Sequence, residues 1–327
     1  MIACAAIILV MSNYLTKSAD IVAIRTGIGR SFIGIVLLAT ATSLPELGTG
    51  VSSIAFWNSP DLAAGDAFGS NIFNLLIIAL LDIYCRDKPI LSGRTQSTAI
   101  IGTLGILIIS ISILGIITHS LGFRFSNLVI SPISVLMFLF LLSSMYLIFT
   151  REKNHGSTGH RNQPDYSSIS MTKTIVVYLI SSVVVILAAV WLAKTGDALT
   201  HSMGWDATFI GTQFLALSTS LPELAASIAA VRINAPELAL SNLLGSNLFN
   251  MGFILFVDDI ALTSNTLWAS ISELHSITAI FAIMMTGVVV LCLLSKENRR
   301  LNRFLTLEAL VLICLYLISS GIIFYLA

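Results

Sequence analysis

Residues 39–54 read ATATSLPELGTGVSSI, and residues 216–231 read ALSTSLPELAASIAAV. The shared core, TSLPEL, sets a glutamate directly after a proline inside a long apolar run: Pro45 and Glu46 in the first copy, Pro222 and Glu223 in the second. Near a terminus or in a loop such a pair would attract no notice. Inside an apolar segment, an ionisable side chain faces a cavity or a partner, because burying it in hydrocarbon costs about 2.5–3.5 kcal/mol even on insertion scales.

Reading outward, the two stretches are the centres of a longer duplication. LTKSADIV at Leu15 matches LAKTGDAL at Leu192, so Lys17 pairs with Lys194 and Asp20 with Asp197. FIG recurs at Phe32 and Phe209, NSPDLA at Asn58 answers NAPELA at Asn234, and GSNIFN at Gly69 answers GSNLFN at Gly245. The offset is 177 residues as far as the glutamates and 176 thereafter, so one residue is gained or lost in the loop between them.

The chain of 327 residues is 56% hydrophobic and 10% charged, where soluble domains carry about 25% charge. Apolar runs of bilayer-spanning length recur throughout. Ten are expected, near 2–22, 31–56, 61–83, 97–118, 128–149, 174–199, 208–231, 236–257, 273–294 and 305–326. The first run lacks a basic flank and a small-residue cleavage site, so it reads as a span rather than a cleaved leader. The polar stretch 150–173 divides the chain into a five-helix half at 1–149 and another at 174–327. His155 and His160 in that stretch read as solvated loop residues. Cys4, Cys85, Cys292 and Cys314 show no CxxC spacing and read as small buried hydrophobes. The zero formal charge suggests no nucleic-acid partner.

With both termini outside, fifteen Lys and Arg residues fall on the inner side against two, Arg124 and Lys194, on the outer. That bias orients the chain as a multi-pass protein of the cell membrane with the 150–173 loop cytoplasmic. The copies start five spans apart, an odd number, so the second is threaded upside down. The expected fold is all-α, with ten transmembrane helices in two inverted five-helix repeats, the architecture of many secondary transporters.

On a helix, Thr42, Ser43 and Ala39 lie at i−4, i−3 and i−7 from Glu46, and Thr219, Ser220 and Ala216 repeat this around Glu223. The prolines cannot donate to the carbonyls of Ala41 and Ser218, so each helix should kink and leave backbone oxygens free at membrane depth. In the following span Ser70 and Asn74 share a face, as do Ser246 and Asn250, while Asn71 and Asn247 point to a neighbouring helix. Asp66 and its counterpart Asn242 fit a tuning, capping or packing role. Two carboxylates, amides and hydroxyls form a hard, all-oxygen set suited to Ca²⁺ or Na⁺.

These blocks resemble the two alpha repeats of the cation/calcium exchanger superfamily, in particular sodium/calcium exchangers and their prokaryotic relatives. That signature is GTSLPE followed by GN..GSN..N/D in each half. The likeness covers 15–74 and 192–250 and implies ion sites formed by the second, third, seventh and eighth helices, with the first and sixth sliding past them. It assigns Glu46 and Glu223 as central acids and Thr42, Ser43, Thr219 and Ser220 as hydroxyl ligands. Ala39 and Ala216 would supply carbonyls, and Ser70, Asn74, Ser246 and Asn250 complete the set. The chain departs from the signature at Ala41 and Ser218, where a glycine is usual, and at Asp66, which replaces the asparagine. Asn250 stands where many exchangers carry an aspartate. The resemblance implies Ca²⁺/Na⁺ antiport by alternating access, with Ca²⁺/H⁺ antiport or another divalent cation as the alternative. Ca²⁺ and Na⁺ (or H⁺) are then substrates rather than cofactors, in contact with a lipid bilayer. A channel fits the inverted repeats less well, and no nucleophile, HExxH or paired-Asp motif marks an enzyme.

Overall fold

The structure is a computed structural model that describes residues 2–85, 89–92, 96–122, 130–155, 164–201, 210–263, 265–295 and 306–326. Most of the basic loop residues that orient the chain, the second histidine of the polar stretch and the side chains of Lys194 and Asp197 lie outside what is described.

Ten helical spans follow one another: α1 (Ile2–Thr26), α2 (Arg30–Thr42 and Leu44–Trp57), α3 (Pro60–Tyr84), α4 (Gln96–Ser120) and α5 (Pro132–His155) form the first half. The second comprises α6 (Met171–His201), α7 (Thr212–Thr219 and Leu221–Arg232), α8 (Pro236–Ala261), α9 (Leu274–Leu294) and α10 (Leu307–Leu326). Helix α5 begins at Pro132, which is preorganised for a first turn, and runs to His155, so residues 150–155 extend the helix into the expected polar loop. Arg151, Glu152 and Lys153 are good helix formers, and Thr150 Oγ1 donates back to the Tyr146 carbonyl at 3.0 Å.

Helices α3 and α8 are the centre: 78% and 83% of their most apolar windows are buried, against 22% for α10. The outer helices turn large apolar side chains such as Leu114, Leu187, Leu317 and Phe324 outward, the surface a lipid solvent requires. Helix α1 packs along α6 and against the second segment of α7. There Ile8, Ala188, Ala189 and Ala225 form a small apolar cluster separate from the main core.

The proline-centred motifs break α2 and α7, bending them by 41° and 45°. The hinges are Ser43 and Ser220, whose backbones sit near φ −90°, ψ 4° and φ −83°, ψ 7°. Each helix restarts with the proline in its first turn, where its missing N–H is not needed, and with Glu46 or Glu223 in that same turn. A wider π-helical stretch precedes both breaks, Gly34–Ala39 and Ile210–Leu215. Such stretches often mark functional sites.

The one-residue change of register has a structural resolution. Asn58 and Asn234, both left-handed at φ 49° and 57°, make equivalent turns into α3 and α8. The second copy is one residue shorter before this turn. It recovers that residue through a π-helical insertion at Asn250–Ile254 that α3 lacks. Beyond the insertion the 177 offset returns. Asp82 accepts the Ile90 N–H at 2.9 Å and Asp259 accepts the Leu267 N–H at 2.6 Å. Asp82 also takes the Thr306 hydroxyl ahead of α10, and Asp259 the Ser131 N–H ahead of α5. The two acids therefore pin equivalent outer helices.

The glycines of the repeated GSN elements permit the central crossings. A Cβ on Gly69 would lie 2.3 Å from the Thr212 carbonyl oxygen, and one on Gly245 would lie 2.9 Å from a side-chain carbon of Ile35. Backbone cannot yield as a side chain can. Gly69→Ala is therefore expected to destabilise the fold by about 1–3 kcal/mol and Gly245→Ala by less, measured as the thermal midpoint of purified protein in detergent. Equal midpoints for both variants and wild type would contradict this packing.

Candidate ion-binding site

The breaks in α2 and α7 bring the two glutamates to the middle of the bundle. Glu46 is 1% exposed and Glu223 is fully buried. Each is held by one hydroxyl from its own half and one from the other. Glu46 Oε1 accepts Ser70 Oγ at 3.5 Å and Ser220 Oγ at 3.3 Å. Glu223 Oε1 accepts Ser246 Oγ at 3.3 Å and Ser43 Oγ at 3.0 Å. The hinge serines therefore tie each broken helix to the opposite glutamate, a crossed arrangement that the inverted repeat alone makes possible.

The second oxygen of each carboxylate, Oε2, is buried and has no hydrogen-bond partner. The same holds for Asn74 Oδ1 and Asn250 Oδ1. Their amide nitrogens are engaged: Asn74 Nδ2 donates to Asn247 Oδ1 at 3.0 Å and Asn250 Nδ2 donates to Asn71 Oδ1 at 3.3 Å. Asn247 Nδ2 donates in turn to the Asn71 carbonyl at 3.1 Å. With the nitrogens spent between α3 and α8, both amides turn oxygen away from that contact. Two carboxylate and two amide oxygens are thus left as bare acceptors at the level of the broken helices. Unpaired buried acceptors each cost about 1–3 kcal/mol, and cation coordination is the kind of contact that relieves such oxygens without a proton donor.

The threonines occupy a different position. Thr42 Oγ1 donates to the Leu38 carbonyl at 2.9 Å and contacts Asn242 Oδ1 at 3.4 Å. Thr219 Oγ1 lies 2.9 Å from both the Leu215 carbonyl and Asp66 Oδ1, and its one proton serves either acceptor. Asp66 Oδ2 also accepts the Thr49 hydroxyl, while Asn242 Nδ2 reaches Ser227 Oγ at 3.2 Å. Asp66 and Asn242 therefore bridge the halves through the opposite threonine. The Ala39 and Ala216 carbonyls already accept the N–H groups of Ser43 and Ser220, at 2.9 and 3.0 Å, and the hydroxyls of Thr42 and Thr219 approach them at 3.5 and 3.3 Å. All twelve residues singled out from the sequence are buried. The sequence reading missed Thr49, although its i+3 spacing from Glu46 places it on a neighbouring face. It left the function of the Asp66/Asn242 pair open. Among the described residues no group of three or more His, Cys, Asp or Glu side chains converges, so the set depends on hydroxyl and amide oxygens.

The model of the family described as sodium/calcium exchanger protein matches residues 1–152 and 173–325. The chain belongs to that family. It is a multi-pass membrane transporter, not an enzyme, with ten helices in inverted repeats. Among its relatives, the putative antiporter CaxA of Alkalimonas amylolytica is 27% identical over 309 residues, covering 91% of this chain and 89% of the relative. The sodium/calcium exchanger MaX1 of Methanosarcina acetivorans is 23% identical, covering 75% and 77%. Of solved structures, the sodium-calcium exchanger NCX_Mj soaked with Na⁺ superposes with a TM-score of 0.70 at 20% identity, covering 98% of this chain and 96% of that one. Other structures of NCX_Mj were soaked with Ca²⁺ or Sr²⁺.

The crossed serines offer a direct check. Ser43→Ala and Ser220→Ala each remove a donor that orients the opposite glutamate. Hydrogen bonds to charged groups contribute about 1.5–3 kcal/mol. Each substitution is expected to weaken cation binding by roughly tenfold or more, read as the shift in Ca²⁺-dependent thermal stabilisation. Unchanged affinity in both variants would show that the crossed contacts do not shape the site.

Proposed function

We propose that the chain exchanges Ca²⁺ for Na⁺ across the cell membrane by alternating access, binding its ions at Glu46 and Glu223. The observation that carries this reading is the set of four buried, unpartnered oxygens on Glu46, Glu223, Asn74 and Asn250. Ser43, Ser70, Ser220 and Ser246 orient the carboxylates, and Thr42, Thr219 and the carbonyls of Ala39 and Ala216 flank them as further oxygen ligands. Two carboxylates neutralise one Ca²⁺ or two Na⁺, which lets the two loads occupy one region in turn. Amide oxygens add coordination without charge, and hard oxygen ligands suit both ions.

Alternating access fits the packing. The four helices that carry the site are tied together by the crossed hydrogen bonds, whereas α1 meets α6 and α7 around a small apolar cluster, with polar ties to the core that include Thr16 to the Ala226 carbonyl at 3.1 Å, Asp20 to Arg30 at 2.7 Å and Tyr178 to the Leu37 carbonyl at 2.8 Å. A rigid ion-binding core with a pair of helices able to slide along it is the expected mechanical division. The positive-inside bias orients this machine with both termini outside and residues 150–173 in the cytoplasm.

The test is Ca²⁺ uptake into proteoliposomes loaded with Na⁺, compared with Na⁺-free vesicles carrying an imposed pH gradient. Uptake that requires internal Na⁺ supports the proposal. Uptake that ignores Na⁺ and follows the pH gradient replaces Na⁺ by H⁺ as counter-ion. Glu46→Gln and Glu223→Gln are each expected to abolish uptake while leaving a folded protein, since each removes half of the formal charge opposing Ca²⁺ and also a desolvation cost. Near-wild-type flux in either variant would dismiss the paired-glutamate site.

A further inference from the structure

We propose that Asp258 is a proton-binding site, outside the paired-glutamate site, whose protonation weakens cation binding at Glu46 and Glu223. The inference rests on reading those glutamates as the ion site, and it adds a regulating group that the inverted repeat does not contain.

Asp258 lies near the end of α8, fully buried, and neither carboxylate oxygen has a hydrogen-bond partner. Its neighbour Asp259 is different: it matches Asp82 of the first half, and both acids hold backbone N–H groups of the chain that follows. By the register those contacts define, the counterpart of Asp258 is Leu81, so nothing in the duplicated architecture explains an acid there. The space for it is made on α2. A Cβ on Gly50 would sit 2.7 Å from both Asp258 oxygens, and the equivalent residue in the second half is Ser227. One side of the site thus combines Gly50, Asp66 and Asp258 where the symmetry-related side has Ser227, Asn242 and Leu81.

The ligand count favours a proton. Asp258 faces the backbone of Gly50, and among the described residues no cluster of three acids, histidines or cysteines gathers there. A metal ion needs several ligands around a cavity of its own. A proton needs only one carboxylate oxygen: the carboxylate takes H⁺ to become the neutral acid, and no other bond changes.

The route to the ion site is short. Gly50 follows Glu46 by one helical turn on the same face of α2, and Thr49 beside it donates to Asp66. Asp66 in turn accepts Thr219 from α7. Helix α2 faces this end of α8 with Glu46. Helix α3 brings Asp61, Asp66 and Asp82, with Asp61 paired to His275 of α9 at 3.1 Å. Helix α5 has its described titratable groups, Tyr146, Arg151, Glu152 and Lys153, in its C-terminal half, and the short helix Leu267–Ser270 has none. Among the described residues, Asp66 and Asp259 are the charges that act on Asp258. Ionised, Asp258 adds a negative charge that favours a cation at the neighbouring site. Protonated, it does not, so cation affinity falls as pH falls.

The experiment measures the apparent Ca²⁺ affinity of uptake in proteoliposomes, at equal pH on both sides, across an acid-to-alkaline series. Wild type is expected to weaken by roughly three- to tenfold towards acid pH. Asp258→Asn should start near the acid value and show a much shallower slope, whereas Asp259→Asn should keep the wild-type slope. A wild-type profile in Asp258→Asn, or a flat profile in wild type, overturns the proposal while leaving the exchanger reading intact. Absence of Ca²⁺ uptake by wild type at every pH strikes at the exchanger reading instead. Labelling of wild-type Asp258 by dicyclohexylcarbodiimide, which attacks protonated buried carboxyls, decides the matter without flux or a variant. Modification that rises as pH falls, mapped by peptide mass spectrometry, supports the proton site, and its absence at every pH excludes it.

Discussion

Two carboxylates are held in the middle of a membrane-spanning bundle with one oxygen each left bare. The rest of the molecule is arranged around that constraint. A buried ionised carboxylate without a compensating charge is among the most expensive features a fold can carry. The hydroxyls of four serines relieve part of that cost on Oε1 of Glu46 and Glu223, but no donor reaches Oε2. Full relief would collapse the site into a static network. Partial relief leaves a place whose stability depends on an ion, which is what a carrier that must load and unload requires.

The duplicated architecture is what makes such a place buildable. One broken helix offers a carboxylate and a hinge serine on the same turn, and these cannot satisfy each other. Threading a second copy in the opposite sense brings each hinge serine to the other copy's glutamate. The same inversion places Asn71 and Asn247 between α3 and α8, where they take up the nitrogens of Asn250 and Asn74. The glycines at 69 and 245 let α7 approach α3 and α2 approach α8, which holds the broken helices against the central pair. The acids that break the symmetry, Asp66 and Asp258, lie with Gly50 on one side of the site.

The inverted ten-helix fold was legible because its evidence is local and repeated: Thr-Ser-Leu-Pro-Glu twice, Gly-Ser-Asn twice, and a run of basic residues alternating from loop to loop. The face shared by Ser70 and Asn74 followed from helical spacing alone. What stayed hidden depends on contacts between halves. Nothing in the spacing of Ser43 indicates that it bonds to Glu223 rather than Glu46. The orientation of the Asn74 and Asn250 amides is set by asparagines on the facing helix. The π-helical insertion at Asn250–Ile254 leaves only a one-residue slip in the repeat, which an alignment ended at Asn250 does not detect. That slip conceals the equivalence of Asp82 with Asp259, and with it the singularity of Asp258.

The central claim is that one cation is bound jointly by the two halves. An anomalous difference map from crystals soaked with Sr²⁺, a heavier analogue of Ca²⁺, tests it most directly. The account predicts a peak within coordination distance of Glu46 and Glu223, with Asn74 or Asn250 among the remaining ligands, and its loss in Glu223→Gln. A peak held by one half alone, or one remote from both glutamates in a protein that still transports, would contradict it.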